Sequence, residues 1–286
     1  MLRFLKVLDY CLLAIAIMFP FFVVNSVYSQ TSGIGTVVDN FTIPIPDPSG
    51  ICSHGSYLWV GDYATNGEPS WIYKIDIWTH QVVDSMPSPG GWDAGIAFVD
   101  STLWEFTDYP TFEDFALANV SLSGKILKYF PARNSCYWSG VAWDGKYLYY
   151  ATNICFASPK GEKSAIYKID PKTGAIIASF PPPSGSVSGL VYNKGHLWYC
   201  DDNYKYIFEI DTTGQIVREF RAYGGLLSGV TIAKGYLWAV DMAGINGPRI
   251  YEIDIGGAPA IPQELTAYAG KDVPGKIILS WSPSTS

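Results

Sequence analysis

The sequence repeats one phrase five times, and this repetition limits the folds open to the chain more than any other feature. A small residue and a glycine precede two or three apolar residues, a polar turn, and then Leu-Trp or Leu-Tyr. The copies begin at Ser49, Ala94, Ser139, Ser188 and Ser228. A period of roughly 40 to 50 residues, with short strands and no helical periodicity, predicts a β-propeller in which each repeat is one four-stranded blade.

Repeats one to four each supply strands A to D of a blade, and the two ends of the repeat region together supply the fifth blade. The fifth repeat provides strands A, B and C but stops at Ile255, whereas Thr36 to Pro44, before the first repeat, has the pattern of an unattached strand D. Pairing these two ends would leave no exposed sheet edge between them. We therefore predict an all-β, five-bladed β-propeller over residues 35–257. Repeat two is the most degenerate, with an insertion at Asp108 to Phe115.

The first 29 residues have the pattern of an export signal. Arg3 and Lys6 precede an apolar run from Cys11 to Val24, and small residues follow at a cleavage position. The run is shorter than the ~20 residues that a membrane-spanning helix needs. Because no stop-transfer pattern follows, we expect residues 1–29 to be a cleaved signal peptide rather than a retained anchor. The mature chain is then expected to have no membrane span, and the protein to be secreted or held at the cell surface.

The C-terminal residues differ from the repeats. From Ala258 the repeat stops, and the segments Ile261 to Ala267 and Lys276 to Pro283 resemble the first two strands of a fibronectin type III domain. A sandwich of that kind needs about 100 residues and seven strands. Residues 258–286 are therefore predicted to be a linker and the truncated start of such a domain.

The overall charge excludes one class of partner. The formal net charge is −7 at pH 7 and the sequence contains no basic stripe, so nucleic acid is not an expected ligand. We expect a monomeric propeller whose partner is a glycan, a peptide or a protein.

The cysteines fall into two groups. Export makes disulfides possible, and Cys136 and Cys155 flank strands A and B of repeat three, where antiparallel pairing brings them to one face. A bridge between them is predicted. Cys52 and Cys200 belong to repeats whose blades are not neighbours, so they are predicted to be buried free thiols.

Acidic residues recur where strand B ends. Aligning the repeats brings Asp62, Thr107, Thr152, Asp201 and Asp241 to matching positions near one mouth of the central channel. The three carboxylates would suit a cation such as Ca²⁺, which prefers oxygen ligands, or one of them would act as a general base if burial raised its pKa. The alternative is that each aspartate accepts backbone hydrogen bonds within its own loop.

Aromatic residues precede strand A on the same rim. Trp92 and Asp93 come before repeat two, and Tyr137 and Trp138 come before repeat three. Together with Asp201 they form a predicted ligand-binding set, because a flat ring beside a carboxylate suits a sugar or a peptide. The alternative is that these rings pack between blades.

The histidines argue against a hydrolytic triad. His54 and His80 align with turns on the face away from this mouth, and His196 aligns with tyrosines inside strand B. None shares a face with a serine and an acid. No Cys and His spacing suits zinc, and no glycine-rich phosphate loop precedes a helix.

Two phrases of repeat three carry a family resemblance. Gly-Val-Ala-Trp-Asp-Gly-Lys-Tyr-Leu-Tyr, at 140–149, and Ile-Tyr-Lys-Ile-Asp-Pro-Lys-Thr-Gly, at 166–174, resemble bacterial propellers that include glutamine cyclotransferases, streptogramin lyases and YncE-like or NHL-like proteins. The resemblance implies a propeller over 35–257. The cyclotransferases match in blade number but carry Thr-Gln-Gly-Leu on strand A, where this chain has Ser188-Gly189-Leu190. No histidine matches the lyase position, so no active site is transferred.

Two functions are compatible with these observations. The first is an exported, non-enzymatic propeller module that binds a glycan, peptide or protein as part of a larger surface or secreted protein. The second is a lyase or glutaminyl cyclotransferase-like enzyme with Asp201 or Asp241 as its base. Propellers host many unrelated functions, so the fold does not decide between them. The lack of a paired nucleophile and base favours the binding module.

Overall fold

A computed structural model of the protein describes residues 33–63, 70–91, 94–108, 115–132, 139–153, 163–201, 203–244 and 246–256, and the backbone of 263–269 and 277–282. The regular elements in these ranges are β-strands. Twenty of them form five four-stranded sheets. The predicted all-β, five-bladed propeller is therefore confirmed.

The chain begins with β1 (Val37–Thr42) and then builds the blades in order, each from its inner strand A to its outer strand D. Blade one consists of β2 (Pro48–His54), β3 (Tyr57–Asp62), β4 (Trp71–Asp76) and β5 (Val82–Pro87). Blade two consists of β6 (Gly95–Val99), β7 (Thr102–Asp108), β8 (Phe115–Ser121) and β9 (Ile126–Pro131). Blade three consists of β10 (Val141–Trp143), β11 (Leu148–Thr152), β12 (Ala165–Ile169) and β13 (Ile176–Phe180). Blade four consists of β14 (Gly189–Asn193), β15 (His196–Asp201), β16 (Tyr206–Asp211) and β17 (Ile216–Arg221). Blade five consists of β18 (Leu227–Ala233), β19 (Tyr236–Asp241), β20 (Arg249–Asp254) and the N-terminal β1.

The N-terminal strand closes the propeller as predicted. β1 pairs antiparallel with β20, and Phe41 lies opposite Ile250 in the register. Blade five thus takes three strands from the end of the repeat region and one from its start. This pairing covers the outer edge of β20, which would otherwise present unpaired backbone groups.

The repeated glycine is explained by contact between the inner strands of neighbouring blades. A Cβ atom on Gly50 would lie 2.9 Å from Cα of Gly95, and one on Gly189 would lie 2.5 Å from Cα of Gly229. Gly95 meets the backbone of Gly140, Gly140 meets that of blade four, and Gly229 meets that of blade one. We call these five residues the glycine ring. Their sequence period reflects a steric need at every blade junction.

The repeated Leu-aromatic pair fills the space between blades. In β11, Leu148 belongs to the same buried cluster as Trp104 of blade two, and Tyr149 belongs to the same cluster as Leu197 of blade four. Successive side chains of a strand point to opposite faces, so one dipeptide serves two interfaces. Burying a side chain of this size contributes roughly 1.5–3 kcal/mol.

The aspartate that ends the strand C phrase shapes the following turn. Asp76 Oδ1 accepts hydrogen bonds from the backbone amides of Trp78, at 2.9 Å, and Thr79, at 2.8 Å. These bonds, with that of Thr79 the strongest, lower the pKa of Asp76. In the degenerate repeat two, Ser121 stands at this position, and its hydroxyl accepts from the amide of Lys125 at 3.1 Å.

The C-terminal segment contains two further strands, β21 (Gln263–Ala269) and β22 (Ile277–Ser282), which pair antiparallel. They overlap the two strands predicted there, while the fibronectin type III resemblance and the boundaries at 35, 257 and 258 stay predictions. The proposed signal peptide, 1–29, lies outside the described residues. Within the described part of the chain, no helix has the length and apolarity needed to cross a bilayer.

Two cysteines occupy the core. Cys52 and Cys200 are both buried thiols, as predicted. Burial raises the pKa of the Cys52 thiol, so this side chain stays protonated and behaves as a small apolar group. Cys136 and Cys155, the predicted disulfide pair, lie outside the described residues.

Candidate functional site

The two faces of the propeller differ in chemistry. Strands A begin and strands B end on one face, because Pro48 pairs with Asp62 in blade one and Leu227 pairs with Asp241 in blade five. We call this the upper face. The lower face carries the turns from strand A to B and from strand C to D.

Buried polar side chains collect around the upper ends of the strands. Most of them are serines and threonines that lie near the start of a strand A, the start of a strand C or the end of a strand B. They are Ser49, Ser70, Thr107, Ser139, Thr152, Ser164, Ser188 and Ser228. Asp201 and Asp241 are also buried there. A buried polar group costs free energy unless it is hydrogen-bonded, so the partners of these groups identify which of them are structural.

Asp241 in blade five is fully engaged in its own loop. Its Oδ1 accepts from the amides of Leu226, at 2.8 Å, and Ala243, at 3.0 Å. Its Oδ2 accepts from the amide of Gly225, at 2.8 Å, and from the hydroxyl of Tyr251, at 3.4 Å. With four donors on two oxygens, this carboxylate holds the approach to β18 in place.

Asp62 in blade one is half-buried and has a similar local role. Its Oδ1 accepts from the amide of Asp47 at 3.3 Å. Burial raises the pKa of Asp62, and the nearby charge of Asp47 adds to this effect. The Asp62 carboxylate therefore links the end of β3 to the segment that precedes β2.

Blade four differs from both. Asp201 Oδ1 accepts from the amide of Tyr204 at 2.7 Å, but its buried Oδ2 has no hydrogen-bond partner among the described residues. Ser188 donates its backbone amide to the carbonyl of Cys200, the neighbour of Asp201, and its buried Oγ is also without a partner there. We call Ser188 and Asp201 the blade-four pair. It is a place on the upper face with unused hydrogen-bonding capacity.

Asp62, Asp201 and Asp241, the predicted cation ligands, all lie on the upper face. Among the described residues no group of three or more His, Cys, Asp or Glu side chains is arranged to hold a metal ion, and the cation site stays a prediction. The loop hydrogen bonds of Asp62 and Asp241 correspond to the alternative given by the sequence. The predicted contacts Trp92, Asp93, Tyr137 and Trp138 lie outside the described residues and stay predictions.

Blade two contains a buried acid that is not among the predicted site residues. Glu105, in the middle of β7, is fully buried, and Ser88 Oγ lies 3.5 Å from its Oε2. In blade four the matching residue is Tyr199, whose hydroxyl lies 3.1 Å from Ser184 Oγ. A carboxylate thus stands where a phenol hydroxyl stands two blades away. An acid in the middle of an apolar strand was the signal that would have revealed it.

The histidines are engaged in structural contacts. His54 stacks on Phe98 with ring centroids 3.9 Å apart, at the lower end of β2. His80 stands in the turn between β4 and β5. His196 Nδ1 lies 2.7 Å from a carboxylate oxygen of Glu209. None of them lies with Asp201 or Asp241 in a metal-binding group within the described structure.

Below the glycine ring the central channel is mainly apolar. A cavity of about 150 Å³ is lined by side chains from all five inner strands, among them Ile51, Ile96, Val141 and Leu190. Thr231 is a polar exception, and its Oγ1 lies 3.2 Å from Ser53 Oγ. Polar chemistry at the axis is therefore concentrated on the upper side.

Comparison with known proteins supports the fold. No protein-family profile matches the sequence, and no curated protein matches it. The crystal structure of glutaminyl cyclase from Myxococcus xanthus is similar with a TM-score of 0.57 and 14% identity, over 76% of this chain and 94% of that chain. At this identity the likeness supports the propeller fold alone.

Two further solved structures are more distant. The Pan2 WD40 domain of Neurospora crassa is 12% identical, with a TM-score of 0.43, and BamB from Moraxella catarrhalis is 13% identical, with a TM-score of 0.36. Each match covers 72% of this chain, and 61% and 58% of those chains respectively.

Proposed function

We propose that the protein is an exported, non-enzymatic propeller module that binds a glycan, peptide or protein ligand through the upper face, with the blade-four pair as its polar anchor. One observation carries this proposal. Ser188 Oγ and Asp201 Oδ2 are buried without partners among the described residues, whereas Ser228 and Asp241, at the same positions of blade five, are fully hydrogen-bonded.

The buried atoms Ser188 Oγ and Asp201 Oδ2 have hydrogen-bonding capacity that the described residues do not use. A buried polar group that lacks a partner costs roughly 1–3 kcal/mol. A hydroxyl, amide or ammonium group of a ligand would donate to Asp201 Oδ2 and offset this cost, and Ser188 would donate or accept. Both side chains are buried, so the ligand must displace what covers them. Trp92, Asp93, Tyr137 and Trp138 are the proposed contacts at the rim.

Export and modular context support the same function. The basic and apolar start of residues 1–29 is typical of a signal peptide, and the change of pattern from Ala258 is typical of a linker to another domain. We propose that the propeller is presented outside the cell, in a secreted or surface-held protein.

The first test is a thermal-shift screen of the full chain against defined oligosaccharides and short peptides, followed by calorimetric titration of each hit. We expect Asp201→Asn to weaken a true hit about tenfold or more, because it removes the charge that accepts the ligand's donor. Asp211→Asn is the matched control, because Asp211 is only partly buried and its carboxylate holds a turn on the lower face. Equal affinity of wild type and Asp201→Asn for every hit would remove the blade-four pair from the site.

A second candidate function is catalysis with Asp201 as a general base. The free, buried Oδ2 favours it, whereas Asp241 is unsuitable because four donors already occupy its oxygens. The likeness to a glutaminyl cyclase suggests the probe, a peptide with an N-terminal glutamine. This candidate predicts ammonia release by wild type and its loss in Asp201→Asn. Absence of release by the wild-type protein would leave the binding module alone.

A further inference from the structure

The lower face, opposite the blade-four pair, carries a groove. It lies between blades two and three and encloses about 400 Å³. Side chains of blade two form one wall, and Trp143 with the turn residues 145–146 and 171–172 of blade three forms the other. Its position on the opposite face makes it independent of the blade-four pair.

Three lysines surround this groove in a chain with a net charge of −7. Lys128 comes from β9, and Lys146 and Lys172 come from the two turns of blade three. No carboxylate of the described residues lies within 4.0 Å of their ammonium groups, since the ion pairs found there involve other cations. The single acid in the lining is Asp100. The groove therefore carries an excess of positive charge against the overall sign of the protein.

The lysine of blade two is held in position across the blade junction. Lys128 Nζ donates to the carbonyl oxygens of Pro171 and Lys172, each at 3.2 Å. Backbone carbonyls orient the ammonium group without neutralising it. Lys128 thus ties the two walls together without a carboxylate partner among the described residues.

The nearest acid in the turn of blade three has other partners. Asp144 forms an ion pair with Lys168 at 3.0 Å and accepts from the amides of Lys146, at 2.8 Å, and Tyr147, at 2.6 Å. These interactions fix the turn and neutralise a different lysine. The ammonium group of Lys146 lies over the Tyr147 ring, 4.8 Å from its centroid, and has no carboxylate within 4.0 Å among the described residues.

Aromatic and neutral polar groups complete the lining. Trp143, at the end of β10, is partly exposed, and Trp104 lies deeper, with its ring stacked 5.8 Å from that of Phe130. Asn119 Nδ2 donates to Thr102 Oγ1 at 2.7 Å. A partly exposed indole offers a flat surface for a sugar ring, and the amide and hydroxyl groups match sugar hydroxyls.

We propose that this groove binds an acidic oligosaccharide, with Lys128, Lys146 and Lys172 contacting its anionic groups and Trp143 stacking on one of its rings. Carboxylate and sulfate groups share the required charge. The anionic groups could therefore belong to a uronate chain or to a sulfated chain, and the test must distinguish these two ligands.

Calorimetric titration of the full chain with tetragalacturonate, a sulfated tetrasaccharide and neutral cellotetraose provides the test. We expect binding of at least one anionic probe and none of the neutral one. Replacing Lys128, Lys146 and Lys172 together by Gln should weaken binding about tenfold or more, because charges that are not paired within the protein contribute directly to an anionic ligand. The charge-matched control replaces Lys163, Lys194 and Lys205, which do not line the groove.

A substitution at Trp143 tests the proposed stacking on a sugar ring separately from the charges. Trp143→Leu keeps every charge and should weaken the anionic saccharide about fivefold while leaving binding of a tetraglutamate peptide unchanged. Circular dichroism and thermal unfolding check that the triple-lysine variant, its charge-matched control and Trp143→Leu all fold. Tetraglutamate binding as tightly as the saccharides, with no effect of Trp143→Leu, would identify an acidic peptide site and overturn the proposal. So would equal loss of affinity in the control variant, or no binding of either anionic probe.

Discussion

Blades four and five carry the same phrases, Ser-Gly at the start of strand A and Leu-Trp followed by an aspartate at the end of strand B. In blade five, Ser228 Oγ donates to the carbonyl of Pro48 at 2.7 Å, and Asp241 accepts from four donors. In blade four, Ser188 Oγ and Asp201 Oδ2 have no partner in the described structure. Identical residues at identical repeat positions therefore have different energetic roles.

The relation is reversed on strand C of the same two blades. Glu209 of blade four lies 2.7 Å from His196 and 2.8 Å from Arg218. Glu252 is its counterpart in blade five, where burial and the nearby charge of Asp39 raise its pKa to about 7. Strand C therefore carries an ion-paired carboxylate in blade four and a carboxyl group with a raised pKa in blade five. A repeat fixes where a side chain stands, while the neighbouring loops and blades decide whether it is stabilised there.

The largest expected effect on the free energy of unfolding comes from a change in the glycine ring, which all five blades share. Gly189→Ala would place a Cβ 2.5 Å from the backbone of Gly229, so we expect a loss of about 3 kcal/mol or more in the free energy of unfolding. Gly185→Ala is the control, because no atom lies within 4 Å of its added Cβ. Urea unfolding measures both. Equal stability of the two variants would contradict the steric role of the glycine ring.

The next effect separates the two aspartates. Asp241→Asn turns an amide toward backbone donors and should cost about 2–3 kcal/mol, whereas Asp201→Asn keeps the bond from Tyr204 and should cost less than about 1 kcal/mol. Both are read from urea unfolding at pH 7. Equal losses would mean that Asp201 is as fully paired as Asp241.

A pH-dependent effect tests the carboxyl group of Glu252 in blade five. The pKa of Glu252 is raised above its unfolded value, so its favourable contribution is complete below about pH 4.5 and is lost as the pH rises through about 7. Glu252→Gln should therefore stabilise the protein by about 1 kcal/mol at pH 8, after allowance for the exposure of the side chain, and have little effect at pH 4.5. Thermal unfolding at both pH values checks this. A stabilisation that does not depend on pH would refute the assignment.

The smallest effect concerns the two serines. Ser228→Ala removes the hydrogen bond to Pro48 and should cost about 0.5–1 kcal/mol, whereas Ser188→Ala removes a hydroxyl without a described partner and should be neutral or slightly stabilising. The difference between the two variants in one set of unfolding curves is the measured quantity. A larger loss for Ser188→Ala would show that its hydroxyl is structurally bonded.

The fold could be read from the sequence because its determinants are local and repeated. The glycines of the ring and the Leu-aromatic pairs, such as Leu148 and Tyr149, recur at each blade junction, and each meets the same steric need. The unattached strand before Ser49 and the missing strand after Ile255 predicted the closure that β1 and β20 make.

The site could be predicted only in part. The sequence brought Asp62, Asp201 and Asp241 to one face, but their roles depend on where loop amides point, and the amides of Gly225 and Leu226 have no counterpart on Asp201 among its described contacts. The lysine groove was missed for a related reason. Lys128 and Lys172 are 44 residues apart and meet only across a blade junction.

A high-resolution crystal structure of the wild-type protein would show directly what lies next to Asp201 Oδ2. We expect a water or a ligand atom within hydrogen-bonding distance of that oxygen, while Asp241 keeps its backbone donors. A donor from the protein itself on Asp201 Oδ2 would make the two blades equivalent and contradict the proposed anchor.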